Sequence, residues 1–264
     1  MLLARADIEA LLRDRKLDRT LTTTLPGLPA PGHTDEYATA PTGVTALDAR
    51  LGGGFPRGQV SEIVGARSSG RASLLLQMLA AATARQEIVA LVDVLDMLDV
   101  ASAEAASVDL TRLLWIRGHL RADPGVNMFP NPGLCRDANQ RALDRAIKAL
   151  TLVLQAGNFG LVAFDAAEAP PQTLQRLPFM TWRRLQRIIE GSQTACILVS
   201  DAPVARSPAG VTVKLNRAKG KGLRANGHLF KGLDIEVDVI YARARRQENA
   251  AVPLSTRELY ALCP

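Results

Sequence analysis

Between residues 42 and 246 two patterns of apolar and polar positions alternate along the chain. Short runs near 88–93, 112–117, 160–165 and 195–200, apolar through their middles, predict buried strands, and 59–64 reads as another short strand. The Leu- and Ala-rich stretches near 70–85, 97–107, 136–155 and 179–191 predict helices between them. Strands apolar on both sides, each followed by a helix, predict an α/β fold with a mostly parallel central sheet flanked by helices. Beyond residue 210 the pattern changes. Val211, Val213 and Leu215 alternate with polar residues, and Leu233, Ile235, Val237, Val239 and Tyr241 alternate with Asp234, Glu236 and Asp238. Alternation of this kind predicts two strands of a C-terminal β-hairpin, with a glycine-rich tip over 217–227. The segment 119–134 holds three prolines and several polar residues and predicts a loop.

The ends read differently. In 1–21 the residues Leu2, Leu3, Ile8, Leu11, Leu12 and Leu17 recur three or four apart, which predicts an amphipathic N-terminal helical arm. Residues 22–41, with four prolines and two glycines, predict an extended linker. So short a helix cannot bury its stripe alone. Leu3, Ile8, Leu11 and Leu12 either fold back on the core or dock on another protein, and the sequence leaves both open. The organisation is thus arm 1–21, linker 22–41, core 42–246 and tail 247–264.

The candidate chemistry lies where the first strand meets the first long helix. Gly65-Ala66-Arg67-Ser68-Ser69-Gly70-Arg71-Ala72 has the glycine spacing of a phosphate-binding loop, G-x-x-x-x-G-K-[ST]. Arg71 stands for the lysine that would reach the β- and γ-phosphates, and Ala72 for the hydroxyl that would hold Mg²⁺. A planar guanidinium replaces a compact ammonium poorly in a confined seat, and a methyl group ligates nothing. Ser73 is one residue late, about 100° round the helix. Gly65, Ser68, Ser69, Gly70, Arg71 and Ala72 are therefore expected to form a vestigial nucleotide site.

The residues around this loop resemble the bacterial RecA recombinase core. Thr42-Gly43-Val44-Thr45-Ala46-Leu47-Asp48, Gly52-Gly53-Gly54-Phe55-Pro56-Arg57-Gly58 and Glu62-Ile63-Val64-Gly65 follow the entry to that ATPase core in order. The resemblance implies a RecA-like core in which 91–99 presents the base that activates water, at Leu95, which cannot move a proton. Asp96, next along, is expected to be a solvated turn carboxylate. The resemblance also makes 159–165 a Walker B-like strand whose Asp165 would assist Mg²⁺; an Asp at a strand end equally caps the next turn. Between residues 200 and 211 the chain is too short for the second DNA-gripping loop and helix of RecA. The segment 108–117 (VDLTRLLWIR) resembles the ImuA family of RecA-like proteins with eroded ATP sites. What that resemblance implies is a nonenzymatic accessory of DNA-damage-induced (SOS) mutagenesis and translesion synthesis, without a cofactor. Its implied partners are RecA, an ImuB-type relative of the Y-family polymerases, and an error-prone replicative-type polymerase. A DNA-dependent ATPase using Arg71 and Asp165 is the alternative.

Charge adds one clue and composition a few exclusions. From Lys214 to Arg246 nine basic residues face three acidic ones, a surplus equal to the +6 of the whole chain. Arg217, Lys219, Lys221, Arg224, Arg243, Arg245 and Arg246 are candidate phosphate contacts for sequence-independent DNA binding. The alternative is an edge hairpin kept soluble by its charges. Three scattered cysteines, Cys135, Cys196 and Cys263, suit reduced thiols in a cytoplasm, and His33, His119 and His228 lack metal-ligand spacing. No apolar run reaches the roughly 20 residues a bilayer demands, so no membrane partner is expected. Trp115 is expected in the core. Trp182 opens Trp182-Arg183-Arg184-Leu185-Gln186-Arg187, whose arginines are either a solvated helix face or a site for an acidic partner.

Overall fold

The computed structural model describes residues 39–118, 132–169, 171–205, 210–216, 234–241 and 252–255. Eight strands form one sheet: β3 (Val60–Gly65), β4 (Val89–Asp93), β5 (Leu113–Arg117), β6 (Leu161–Asp165), β7 (Ala195–Ser200), β8 (Val211–Leu215), β9 (Asp234–Tyr241) and β10 (Val252–Ser255). Their order is β10-β9-β8-β3-β7-β6-β4-β5. The pairings from β8 through β5 are all parallel, and β9 and β10 continue the sheet antiparallel. Two further strands, β1 (Thr39–Ala40) and β2 (Phe55–Pro56), pair antiparallel beside it.

Helices cover both faces, which is why the central strands are buried along their length and largely apolar, Ser61, Glu62 and the terminal Asp93 excepted. On one face α1 (Thr45–Leu51) and α2 (Arg71–Ala84) set Leu47, Leu74, Met78 and Leu79 against Ile63, Leu91, Ala163 and Ile197. On the other, α4 (Pro132–Ala156) and α6 (Phe179–Ile189) set Leu143, Leu150, Leu185 and Ile189 against Val92, Val162, Phe164 and Leu198. The shorter helices α3 (Val100–Ala105) and α5 (Pro171–Gln175) fill the turns after β4 and β6. Alternate residues of one strand thus enter different cores.

The predicted strands and helices of the core all appear, within a few residues of their expected ends. Four expectations shift. The last residues of the expected linker are not a free tether, because Thr39–Ala40 pairs with Phe55–Pro56. The expected loop 119–134 gives way at Pro132, where α4 begins; proline suits a first helical turn, whose N–H has no intrahelical partner. The hairpin of β8 and β9 forms as predicted but is not the sheet edge, since residues 252–255 of the expected tail add β10 outside it. Trp115 sits on β5, the opposite edge, and is half-buried instead of enclosed. The arm residues Leu3, Ile8, Leu11 and Leu12, the three histidines, the hairpin tip and the basic positions 217–224 and 243–246 lie outside the described residues.

One cation clamps the strand ends opposite the loop. Arg57 donates from Nη2 to Glu87 Oε1 at 2.7 Å, from Nη1 to the carbonyls of Gln193 at 2.7 Å and Gly160 at 3.0 Å, and from Nε to the Thr39 carbonyl at 3.1 Å. It joins β1 to the turns entering β4, β6 and β7.

Candidate functional site

Strand β3, at the centre of the sheet between β7 and β8, delivers the chain to the glycine loop. The loop has the turn its pattern predicts. A Cβ on Gly65 would stand 2.5 Å from Ser69 Oγ and 2.8 Å from the Leu215 carbonyl, so only glycine fits. Gly70 at φ 95° turns the backbone into α2. Ser69 N–H donates to the Ala66 carbonyl at 3.1 Å and closes the bend.

What fills the seat differs from a nucleotide site. Arg71 is buried, with 5% of its side chain exposed, and its two Nη atoms are bound to acids. Nη1 donates to Asp201 Oδ1 at 2.5 Å and Nη2 to Glu168 Oε1 at 3.2 Å. Arg67, largely exposed, lies 3.6 Å from the second oxygen of Glu168. These four residues, with Ala66, Ala167 and Ala169, line a cavity of about 450 Å³ at the mouth of the loop. Glu168 follows β6 and Asp201 follows β7, at the carboxyl ends of the strands, where open α/β sheets bind ligands. Two carboxylates therefore face the place where phosphates would have to lie. Ala72 is exposed and has no oxygen to offer a metal.

Asp165 adopts the role of a cap. Its Oδ1 accepts the Ala167 N–H at 2.9 Å, closing the turn after β6. Burial raises its pKa to about 6, the Ala167 N–H opposes that rise, and the charge of Asp93 on the neighbouring strand adds to it. Its bonded oxygen is thus turned toward a backbone donor within its own turn. Asp93 is itself structural: Oδ2 accepts Leu98 N–H at 2.8 Å and Trp115 Nε1–H at 3.3 Å, while buried Oδ1 has no protein partner. The residues present thus do not fit a magnesium–triphosphate complex.

The position where the resemblance puts a water-activating base holds an apolar side chain. Leu95 lies in the turn after β4. Asp96 is a turn residue at φ 58°, as expected, but it is ion-paired and not merely solvated, since Arg117 donates to both its oxygens at 2.7 Å. The Arg117 guanidinium also lies 4.5 Å from the Trp115 ring centroid, a cation–π contact.

Sequence reasoning missed Glu168, Asp201 and Glu62. Glu62 is buried inside β3 and accepts Val204 N–H at 2.8 Å, Ala205 N–H at 2.5 Å and Thr212 Oγ1–H at 3.2 Å, so it pins the short β7–β8 connection. A signal for the first two existed: an arginine buried in a phosphate loop needs an anion, and acids just beyond strand ends can supply it. Among the described residues no group of three or more His, Cys, Asp or Glu forms a metal cluster, and no helix is long and apolar enough to cross a membrane.

Comparison with known proteins bears on the fold that carries this site. Residues 30–119 match the RecA N-terminal domain. Protein RecA of Lactobacillus delbrueckii subsp. bulgaricus is 41% identical over 80 residues, which is 30% of this chain and 24% of that protein. Protein RecA of Prochlorococcus marinus is 42% identical over 76 residues, 29% of this chain and 20% of that one. Protein RecA of Symbiobacterium thermophilum is 44% identical over 75 residues, 28% and 21% respectively. The matched stretch spans less than a quarter of the length of these relatives. The family match over residues 30–119 contains the loop, α2 and β4, and with the mostly parallel sheet flanked by helices it makes the core RecA-like.

Proposed function

We propose that this RecA-like chain is a nonenzymatic accessory of the DNA-damage response, of the ImuA kind, which acts through protein partners in translesion synthesis. The observation that carries the reading is the buried Arg71 held by Glu168 and Asp201. In a nucleotide-driven motor the cation of this loop must be free to meet triphosphate and to release its products. Here it is committed to two internal acids, beside an alanine where the metal's hydroxyl should be and a leucine where the base should be. The fold keeps the motor's shape without its cycle.

A RecA-like surface without turnover suits a protein that engages RecA, an ImuB-type polymerase relative or an error-prone polymerase complex. Set against RecA itself, such a protein would cap or weaken a filament and so favour synthesis past damage over recombination. The test has two arms. Purified chain titrated with ATP and Mg²⁺, with and without single-stranded DNA, is expected to release no phosphate above background. Excess chain is expected to shorten RecA filaments and slow strand exchange. Saturable, DNA-stimulated phosphate release would establish the ATPase alternative, and unchanged filaments and exchange would remove the RecA-directed role.

A further inference from the structure

On the face opposite α1 and α2 an open groove of about 920 Å³ runs between α4 and α6. Its floor is apolar, formed by Ile147, Leu177, Pro178 and Leu185. Its two walls carry side chains that the core does not use. Leu152 on α4 is 67% exposed and Met180 on α6 is 64% exposed, although both are large and apolar. Isolated exposed apolar residues are ordinary on a surface, but here two face one channel from opposite helices.

The rim has one dominant sign. Lys148 stands on the α4 side, and Arg183, Arg184 and Arg187 stand on the α6 side; all four are exposed. Asp144 is the one acidic residue lining the groove, and it already accepts Gln140 Nε2–H at 3.1 Å. The spacing is helical on both walls: 144, 148 and 152 on α4, and 180, 183, 184 and 187 on α6, each set on a single helix face. An apolar floor between two such walls has the polarity that receives a third helix. Helix α6 is 11 residues long, about 16 Å, which would accept about three turns.

We infer that the α4–α6 groove docks an acidic amphipathic helix of a partner protein. The partner's apolar stripe would lie on Ile147, Leu152, Leu177 and Met180, and its flanking carboxylates would meet Lys148 and the three arginines. Charge selects this occupant over the chain's own arm. Residues 1–21 carry five basic and four acidic residues, so that helix offers no negative surplus to a rim that is itself positive. Arginines that form planar, paired contacts with carboxylates give such a site specificity as well as attraction. The inference rests on the reading of this protein as a partner-binding accessory, but the phosphate seat plays no part in it.

The experiment uses the full chain and a fluorescent synthetic peptide of about 18 residues. Leucines recur three and four apart, with glutamates on both flanks; a control replaces every glutamate by lysine. Fluorescence anisotropy is expected to show saturable binding of the acidic peptide, at least ten-fold tighter than the lysine control and weakening as salt is raised. Arg183→Glu with Arg187→Glu, both exposed, is expected to weaken it at least ten-fold while circular dichroism and melting stay unchanged, and Met180→Ala is expected to weaken it several-fold. Equal binding of both peptides, or no effect of the arginine variant, would overturn the inference. So would binding that appears only after deletion of residues 1–21, which would make the arm the occupant. Tighter binding of a 20-nucleotide oligo-dT, lost in the same arginine variant, would assign the groove to nucleic acid instead. None of these results depends on phosphate release, so failure here is distinguishable from failure of the nonenzymatic reading.

Discussion

Asp165→Asn isolates the difference between a capping carboxyl and a metal-binding one. In the native protein Oδ1 accepts the Ala167 N–H at 2.9 Å, and an asparagine carbonyl can do the same, so the turn after β6 survives. What the substitution removes is a negative charge that burial disfavours. The carboxyl's pKa rises from an ordinary 3.8 to about 6 on folding. Between those values the folded state holds more protons than the unfolded one, so stability falls as pH rises through the window. The full cost of ionisation would be about 3 kcal/mol. Asp165 is half-buried, and solvent reduces that to about 1–2 kcal/mol. Urea unfolding followed by tryptophan fluorescence, at pH 4, 5, 6 and 7.5, should find the two proteins alike near pH 4. The variant should be more stable by about 1–2 kcal/mol at pH 7.5. Added Mg²⁺ should move neither midpoint. A variant less stable than the parent at pH 7.5, a gap that does not change with pH, or a Mg²⁺-dependent rise confined to the parent would refute the argument.

Other outcomes follow from the same contacts. Neutralising both acids that hold Arg71, as Glu168→Gln with Asp201→Asn, should free a buried guanidinium at the loop and raise affinity for pyrophosphate at least ten-fold by calorimetry, still without ATP turnover. Arg57→Ala should lower stability by about 3 kcal/mol, because Glu87 and the carbonyls of Thr39, Gly160 and Gln193 lose their donor together; denaturant unfolding reads this directly. Glu62→Ala should cost about 2–4 kcal/mol, since the N–H groups of Val204 and Ala205 lose their acceptor at a buried site, and hydrogen exchange at those two amides should rise first.

The two kinds of information met most closely in the core. Strands such as β4, β6 and β7 read as apolar runs because helices cover both faces, and that constraint is local enough to show in a window of six residues; β3, with Ser61 and Glu62, is less plain. The loop was legible for a related reason. Gly65 and Gly70 answer steric demands of the backbone, and a missing Lys or Ser is missing whatever surrounds it. Edge positions were harder. Trp115 belongs to a strand as apolar as the central ones, and only the sheet order places it at the rim, stacked under Arg117. Residues 252–255 carry no strong signal of their own and become a strand because β9 offers them an unpaired edge.

Along the chain alone, local sterics and periodicity determined an α/β core and a glycine loop with Arg71 and Ala72 at its last two positions. What tertiary structure decided was where long-range charges meet. Arg71, Glu168 and Asp201 are about 100 and 130 residues apart in pairs, and the parallel sheet brings them to one end of adjacent strands. The α4–α6 groove arises the same way, because two helices separated by β6 cover the same face and leave Leu152 and Met180 facing one channel. Electrostatic contacts act through space, so their partners are set by the fold and not by the spacing of residues.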